Sequence, residues 1–303
     1  MKHSTKFAAK LKSNIRLDFE AIGTRWVVQL VAPAERAQQI SRLIADRISL
    51  FDRTYSRFRP DSWVQQCSQP GRYKTPTDFA PLFKLYQQLN ELTDGAVTPL
   101  IGDVLERAGY DQNYSLEPKA LQQIPSMPEA LELVDNTLHV KYKVCLDFGA
   151  AGKGYLVDII AALLIKEDVT EFYIDASGDI YHNIPTPTPV GLEDPTDSTK
   201  VVGIAKLQAA SLCGSAGNRR QWAGLHHIFD PRSLKPTSTI GAVWVLVPHI
   251  SDTTYPTMLA DGLSTALFFS KPSLLENSFA FEYVILSTDK SAHTSKHFPG
   301  GLA

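Results

Sequence analysis

The stretch CLDFGAAGKGYLVD, residues 145–158, ends a predicted strand (138–146), forms a turn with three glycines and starts a predicted helix (153–165). Small residues allow a ligand to approach the backbone, and a lysine at a helix N-terminus adds positive charge to the helix dipole. The turn, with Asp147 before it and Lys153 within it, therefore has the chemistry to bind an anionic diphosphate. The glycine spacing matches neither the Walker loop nor the dinucleotide-binding fingerprint. A glycine-rich turn with a purely structural role fits the same residues equally well.

The elements around this stretch are a mixture of strands and helices without strict alternation. Apolar runs predict strands, and apolar residues at i, i+3, i+4 spacing predict helices, the second of which Thr77 would cap. Polar stretches at 57–75 and 182–200 predict exposed connections. Such a mixture favours an α+β fold over a doubly wound sheet. The predicted strands lie at 25–31, 138–146, 171–180, 201–207, 241–247 and 281–286, and the predicted helices at 34–51, 79–89, 153–165 and 257–269.

Composition and charge narrow the functional classes. With 303 residues, of which 44% are hydrophobic and 20% charged, the chain has enough apolar material for a core and too little charge for disorder. The formal net charge is −2 and no long run of like charge is present, which argues against nucleic acid as a partner. No apolar stretch approaches the roughly 20 residues of a membrane span. The basic opening stretch also lacks the apolar run of about 7 to 15 residues that a signal peptide needs.

Cysteine usage indicates a reducing compartment. Cys67, Cys145 and Cys213 are odd in number and far apart, and no histidine lies near them at metal-ligand spacing. Neither a disulfide framework nor a zinc site is expected, so we predict a cytoplasmic protein. The expected organisation is a flexible N-terminal segment (1–16), one domain (17–286) and a loose, polar C-terminal tail (287–303).

Three further patterns contain residues that chemistry could use. In ADGLSTALFF, 260–269, Asp261 and Thr265 lie four residues apart in a predicted helix, so their oxygens project from one face and form a hard-oxygen set suited to Mg²⁺. The alternative is an aspartate favoured by the helix dipole beside a threonine on a polar face. In HHIFDP, 226–231, a histidine near an aspartate is more often a hydrogen bond at a turn than a catalytic pair. IDASGDI, 174–180, indicates a simple turn at the end of a strand.

Taken in order, these patterns resemble the ApbE-like flavin transferases, the FAD:protein FMN transferase family. The resemblance extends from about residue 22 to residue 269, and it depends on the order of the motifs rather than on any single one. The fold that it implies is α+β, with mixed and antiparallel sheets, packed helices and two interleaved subdomains. The motifs are IGTRW (22–26), SRFRPDS (56–62), DGAVTP (94–99), LDFGAAGKGYLVD (146–158), DASGDI (175–180), SAGNRR (215–220), HHIFDP (226–231) and LADGLSTALF (259–268).

The resemblance implies a reaction and a cofactor. FAD would be split at its pyrophosphate, AMP would leave, and FMN would be joined through a phosphoester to a Thr or Ser of a partner flavoprotein. Mg²⁺ is the implied cofactor, with Asp261, Thr265 and the backbone carbonyl of Ala150 as its ligands. The residues suit this chemistry because attack on a diphosphate concentrates negative charge on oxygens that a divalent cation can bridge and Lys153 can neutralise.

The resemblance also implies FAD contacts and a base. Phe58 would cover the flavin or adenine ring, and Lys153 would meet the diphosphate. The alternative for Phe58 is an ordinary loop anchor in the core. Either Asp230 or His227 would deprotonate the acceptor hydroxyl, and the sequence does not choose between them. The remaining implied FAD contacts are Ile22, Ala96, Val97, Thr98, Asp147 and Phe229.

The chain departs from the family pattern at several positions. Val97 and Thr98 stand where the family usually has Phe and Asp, while Asp175 and Ser177 replace the usual Asn and the first Gly of Gly-Gly-Asp. Leu234 stands where a glycine commonly follows the Asp-Pro motif. Two other interpretations therefore accompany the transferase. One is an FAD pyrophosphatase that releases FMN and AMP, and the other is a non-catalytic FAD-binding protein.

Overall fold

An antiparallel sheet of eight strands forms the centre of the molecule. The structure, a computed structural model, describes residues 14–218, 220–250 and 253–302. Most of the predicted flexible segment 1–16 lies outside the described residues, as does Arg219 of the SAGNRR motif. Residues 15 and 16 already belong to the first strand.

Eight α-helices and two short 3₁₀ helices are present in the described ranges. On the longest helix, Ile40, Ile44, Ile48 and Phe51 are buried, which is the amphipathic stripe that the sequence predicts. The helices are α1 Ala37–Tyr55, α2 Trp63–Gln66, α3 Phe79–Leu92, α4 Gly102–Arg107, α5 Met127–Ala130, α6 Gly152–Lys166, α7 Pro256–Ala266 and α8 Pro272–Glu276, with 3₁₀ helices at Ala34–Arg36 and Pro99–Ile101.

The strands form one large sheet and four small ones. They are β1 Ile15–Ala21, β2 Thr24–Leu30, β3 Gly71–Lys74, β4 Leu131–Val134, β5 Thr137–Val140, β6 Phe172–Asp175, β7 Asp179–Asn183, β8 Thr188–Asp194, β9 Asp197–Leu207, β10 Ala210–Ala216, β11 Gln221–Trp222, β12 Leu225–His226, β13 Phe229–Asp230, β14 Lys235–Pro236, β15 Ile240–Pro248, β16 Glu282–Ser287, β17 Ala292–Thr294 and β18 Gly300–Leu302. The large sheet has the order β1-β2-β6-β7-β10-β15-β16-β17, and the small sheets are β18-β9-β8, β3-β5-β4, β11-β12 and β13-β14.

The central strands of the large sheet are buried on both faces. Along β15, Val243 and Val245 belong to the main core with the helices, whereas Trp244 and Leu246 belong to a second core that also contains residues of β8 and β9. This alternation follows from the two-residue period of a strand. Burial on both faces also explains why strands such as β15 appear in the sequence as continuous apolar runs. Helices α6 and α7 pack on the main-core side, where they carry the residues of the candidate site.

The predicted α+β class with antiparallel sheets and packed helices is confirmed. Strands β2, β9, β15 and β16 and helices α1, α3, α6 and α7 lie close to their predicted positions. No helix in the described part of the chain has both the length and the apolar character needed to cross a bilayer.

Two predicted strands have different limits from those expected. The strand predicted over 138–146 ends at Val140, because the following backbone bonds to loops instead of to a sheet: the N–H of Val144 donates to the Ser68 carbonyl. The strand predicted over 171–180 is a tight hairpin, β6 and β7, which turns at Ser177 and Gly178 with φ of +56° and +102°.

The predicted connections contain regular structure. The stretch 57–75 holds α2 and β3, and the stretch 182–200 holds β8 and the start of β9. Pro189 lies in β8, which is an edge strand and therefore tolerates a residue without an N–H group. The tail predicted to be loose, 287–303, contains β17 and β18, which pair with β16 and β9.

The predicted cap of α3 is wrong by one residue. Asp78, not Thr77, is the N-cap residue, and its side chain does not bond to the helix. The Asp78 carboxylate instead accepts hydrogen bonds from Arg47 and from the Tyr55 hydroxyl, which ties α3 to α1.

Candidate active site

Helices α6 and α7 cross at Gly154. The Gly154 N–H donates a 2.9 Å hydrogen bond to the Asp261 carboxylate, which is 107 residues away in sequence. A Cβ atom on Gly154 would lie 2.7 Å from the Asp261 Cβ and closer still to the Thr257 carbonyl oxygen. Only glycine permits this approach, because any side chain would push the helices apart. The crossing brings the glycine turn and the Asp261 helix together, as the predicted metal site requires.

Of the three predicted metal ligands, Asp261 lies at this crossing, Thr265 follows it one turn later on α7, and Ala150 lies in the glycine turn before α6. One oxygen of the Asp261 carboxylate accepts the Gly154 N–H. Among the described residues, no backbone N–H group donates a hydrogen bond to the Thr265 hydroxyl or to the Ala150 carbonyl. The Ala150 N–H donates to the Tyr86 hydroxyl at 3.1 Å, which holds this peptide in place. No group of three His, Cys, Asp or Glu side chains with metal-binding geometry occurs among the described residues. A carboxylate, a hydroxyl and a carbonyl nevertheless fit a hard cation such as Mg²⁺, which prefers oxygen ligands.

An ion pair between the buried Asp179 and the partly exposed Lys153 lies beside the Asp261 carboxylate. Asp179, only 1% exposed, pairs with Lys153, whose ammonium also donates a 3.0 Å hydrogen bond to the Ala176 carbonyl. Burial opposes the charged ammonium, but Asp179 and Asp261 outweigh it, so the pKa of Lys153 is raised. Burial, and then the neighbouring Asp179 carboxylate, hold the pKa of Asp261 well above its usual range. Two carboxylates therefore share one ammonium, and a cation at this place would favour the ionised form of Asp261.

Asp158 fixes the N-terminus of α7. Its buried carboxylate accepts hydrogen bonds from the N–H groups of Thr257 and Met258, at 3.0 and 2.7 Å. The helix has no side-chain cap of its own, since its N-cap residue Tyr255 makes no such bond. Burial raises the pKa of Asp158 to about 7. Because Asp158 is on α6, it sets the position of α7 relative to the glycine turn.

Asp147, a predicted FAD contact, is already paired. Arg57 donates to one of its oxygens at 2.5 Å, and the Gly149 N–H donates to the other at 2.6 Å. The Asp147 N–H donates to the Pro99 carbonyl, which brings the stretch 96–98 against the glycine turn. The carboxylate is thus held by the protein and can meet a ligand only with its remaining lone pairs.

Ala96, Val97 and Thr98 are almost fully buried. The Val97 N–H donates to the Thr93 hydroxyl, and the Val97 carbonyl accepts from Asn90. The Thr98 hydroxyl accepts the Leu100 N–H and so caps the following 3₁₀ turn. This segment carries a capping hydroxyl and an apolar side chain at the positions where the family usually has a carboxylate and an aromatic ring.

Phe58 and Phe229 belong to one aromatic cluster. Phe58 stacks on Tyr114 with ring centres 5.1 Å apart, and Tyr110 stacks on Trp222 at 5.5 Å. Phe229 is buried in the same cluster. The Arg57 guanidinium lies 4.1 Å from the Phe58 ring centre, so the ion pair with Asp147 connects the aromatic cluster to the glycine turn. Rings of this kind are suited to stacking on a flavin or an adenine.

Ile22 lies in the turn between β1 and β2, with a φ of +44°. Its side chain is partly buried against the main core. The Ser177 hydroxyl donates to the Arg25 carbonyl at 2.9 Å, which links this hairpin to the β6–β7 turn. The Ile22 turn is thereby connected to the region where Ala176 accepts from Lys153.

His227 and Asp230 have different surroundings. Arg232 binds both oxygens of Asp230 and lowers the pKa of that carboxyl. Burial, together with the positive charge of Arg220, lowers the pKa of His227 to about 3. The Nδ1 atom of His227 has no hydrogen-bond partner among the described residues. His227 is therefore a neutral imidazole with a free nitrogen, whereas Asp230 is committed to Arg232.

Several residues of the site were missed in the sequence. Asp179 is in a motif interpreted as a plain strand end, and Arg57 directly precedes the predicted Phe58. Asp158 ends the glycine-rich motif, and an acidic residue directly after three apolar ones is a local signal for a buried carboxylate. Tyr110 and Trp222 carry no local signal, because only the fold brings them together.

Comparisons with known proteins agree on one family. The model of the ApbE family matches residues 6–279. An FAD:protein FMN transferase from Haemophilus influenzae is 24% identical over 91% of this chain and 87% of its own, and one from Escherichia coli K12 is 21% identical over 77% and 73%. The crystal structure of the ApbE protein from Thermotoga maritima superimposes with a TM-score of 0.79 at 23% identity, covering 93% of this chain and 97% of its own. The flavin transferase ApbE from Vibrio cholerae gives a TM-score of 0.75 at 19% identity, covering 94% and 97%. At these identities the structural likeness shows the fold.

Proposed function

Since this chain belongs to the ApbE family, we propose that it is an FAD:protein FMN transferase that uses Mg²⁺ and a Thr or Ser hydroxyl of a partner flavoprotein. The single observation that carries the proposal is the close crossing at Gly154, which sets the Asp261 carboxylate beside the turn of Lys153. This arrangement supplies oxygen ligands and a positive charge in one place. Both are needed where a diphosphate is cleaved.

The proposed reaction is a phosphoryl transfer from FAD. The acceptor oxygen forms a bond to the phosphorus of the FMN half, and the bond from that phosphorus to the bridging oxygen of the pyrophosphate breaks. AMP leaves with the bridging oxygen, and the hydroxyl proton passes to a base. The product is FMN joined to the partner protein through a phosphoester.

Asp261, Thr265 and the Ala150 carbonyl would hold the Mg²⁺. When bound, the cation would neutralise the charge that develops on the diphosphate oxygens. The oxygen donor set, together with two carboxylates that share one ammonium, supports this assignment. Lys153 has three donor hydrogens, of which Asp179 and Ala176 engage two, so one remains for a diphosphate oxygen.

His227 is our choice for the base. Its Nδ1 atom is buried and has no hydrogen-bond partner among the described residues, while both oxygens of Asp230 are bound by Arg232. A general base must be free to accept a proton within hydrogen-bond reach of the attacking hydroxyl. Negative charge from a bound diphosphate would also raise the affinity of the imidazole for that proton.

The aromatic cluster and the segments at Ile22, 96–98 and Asp147 would bind the rest of FAD. The stacked pair of Phe58 and Tyr114 is the proposed contact for a flavin or adenine ring. Thr98 cannot supply the negative charge of the usual carboxylate, so we expect altered recognition of the nucleotide. A cytoplasmic location remains a prediction from cysteine usage.

The experiment that tests the function follows both products. The full-length protein is incubated with FAD and Mg²⁺, with and without EDTA and a flavoprotein acceptor, and AMP and acid-stable flavin on the acceptor are measured. AMP together with covalent flavin, abolished by EDTA, is the expected result. AMP with free FMN alone would instead make the protein an FAD pyrophosphatase, and FAD binding without AMP would make it a binding protein.

A further inference from the structure

Asp179 occupies a special position next to the proposed cation site. It begins β7, pairs in register with Cys213 of β10 and is 1% exposed. Its carboxylate faces both the Lys153 ammonium and the Asp261 carboxylate. A buried carboxylate with only one cationic partner is expensive to retain, which points to a role in the site.

Lys153 has two carboxylates within its reach. It is paired with Asp179, and the negative charge of Asp261 also attracts it. The bond from its ammonium to the Ala176 carbonyl lies on the Asp179 side, in the turn between β6 and β7. Asp179 and Ala176 together hold the ammonium on the sheet, whereas the Asp261 carboxylate accepts the Gly154 N–H and lies within hydrogen-bond range of Asp179.

We infer that Asp179 is a positioning residue that keeps Lys153 from pairing with Asp261. If Asp179 lost its charge, the ammonium of Lys153, whose side chain is 22% exposed, would lose its ion-pair partner, and Asp261 is the neighbouring carboxylate that could replace it. Lys153 would then compete with a divalent cation for the same carboxylate. The inference rests on the proposed function only in taking Asp261 as a cation ligand.

Asp179 differs in this respect from a cation ligand and from a purely structural residue. If Asp179 were a cation ligand, its replacement would weaken cation binding whichever residue stands at position 153. The same holds if Asp179 only supports the fold. A residue that restrains Lys153 becomes dispensable once the lysine has no charge. The double variant Asp179→Asn with Lys153→Met separates these roles, because it removes both charges and keeps the approximate volume of each side chain.

The experiment measures Mn²⁺ binding by electron paramagnetic resonance on the full-length protein without FAD. We expect Asp179→Asn to weaken Mn²⁺ binding at least about tenfold, which corresponds to about 1.4 kcal/mol. We expect the double variant to bind Mn²⁺ within about threefold of the unmodified protein, since the two changes are strongly coupled. Asp46→Asn and Lys166→Met alter exposed residues of α1 and α6 and serve as matched controls. Thermal unfolding of each variant confirms that it is folded.

Three results would overturn the inference. The first is an Asp179→Asn variant that binds Mn²⁺ as tightly as the unmodified protein, and the second is a double variant that binds Mn²⁺ as weakly as Asp179→Asn. The third is Mn²⁺ binding that Asp261→Asn leaves unchanged. If Asp179→Asn does not fold, Mn²⁺ binding by the double variant is compared directly with that by the unmodified protein. Weaker binding by the folded double variant would then overturn the inference. Mn²⁺ binding that follows these expectations in a protein without AMP release would refute the proposed function and leave the role of Asp179 intact.

Discussion

The Gly154 N–H donates a hydrogen bond to the Asp261 carboxylate, and this contact joins two helices that the sequence separates by 107 residues. The bond orients one carboxylate oxygen and satisfies an N–H group in the first turn of α6, where helices lack internal acceptors. The same glycine allows the helices to touch, since a side chain there would meet Thr257 and Asp261. Position 154 therefore determines both the packing of α7 and the direction of its acid.

Gly154→Ala should destabilise the protein and abolish its activity. The added methyl group has no space at the helix crossing, and overpacking of this kind destabilises by about 1–3 kcal/mol. We expect a loss of about 2 kcal/mol or more in the free energy of unfolding, measured with urea. Gly301→Ala, in β18, is the matched control because a Cβ there meets no atom within 4 Å. Equal stabilities of the two variants would contradict the packing argument.

At position 177, glycine is expected to give a more stable protein than alanine. Its φ of +56° is in the left-handed region, where a side chain costs about 1–2 kcal/mol per residue. Both substitutions remove the hydroxyl bond to Arg25, so their difference reports the backbone alone. Ser177→Gly should therefore be about 1 kcal/mol more stable than Ser177→Ala in urea unfolding. The reverse order would show that the turn relaxes when the side chain is removed.

Asp158 should make the stability of the protein dependent on pH. Burial raises its pKa in the folded state to about 7, above the ordinary 3.8, so the folded state holds the proton more tightly than the unfolded chain. Its contribution is complete below pH 3.8 and is lost as the pH rises through about 7. Between pH 5 and pH 8 we expect the unmodified protein to lose about 2–3 kcal/mol relative to Asp158→Asn. Urea unfolding of both proteins at the two pH values measures this difference, and parallel curves would refute it.

If His227 is the general base, His227→Asn should slow flavin transfer and leave FAD binding almost unchanged. Removal of a general base typically lowers the rate by about 100-fold to 10,000-fold. Because burial and Arg220 lower the pKa of His227 to about 3, its imidazole is neutral above about pH 4. The kcat/KM profile should therefore show no loss of activity from His227 between pH 5 and pH 7. His293→Asn, at an exposed position in β17, is the control, and equal rates for the two variants would rule out the base role.

The local parts of the site could be predicted from the sequence, but their connections could not. The glycine turn, Lys153 and the acid of α7 have strong local patterns, since glycine spacing and helical periodicity act over a few residues. The ion pair of Lys153 with Asp179 depends on which strand lies under α6, and that is set by the pairing of β7 with β10. The β8–β9 hairpin was hidden for another reason. Its edge strand contains proline and charged residues, which resemble a loop in composition.

The measurement that tests the central claim most directly is Mg²⁺-dependent AMP release from FAD by the unmodified protein and by Asp261→Asn. The variant preserves the shape of the side chain and removes the charge that would hold the cation. We predict AMP release that requires Mg²⁺ in the unmodified protein and falls at least about 100-fold in the variant, with the fold retained. Full AMP release by Asp261→Asn would contradict the proposal that the crossing of α6 and α7 builds the catalytic cation site.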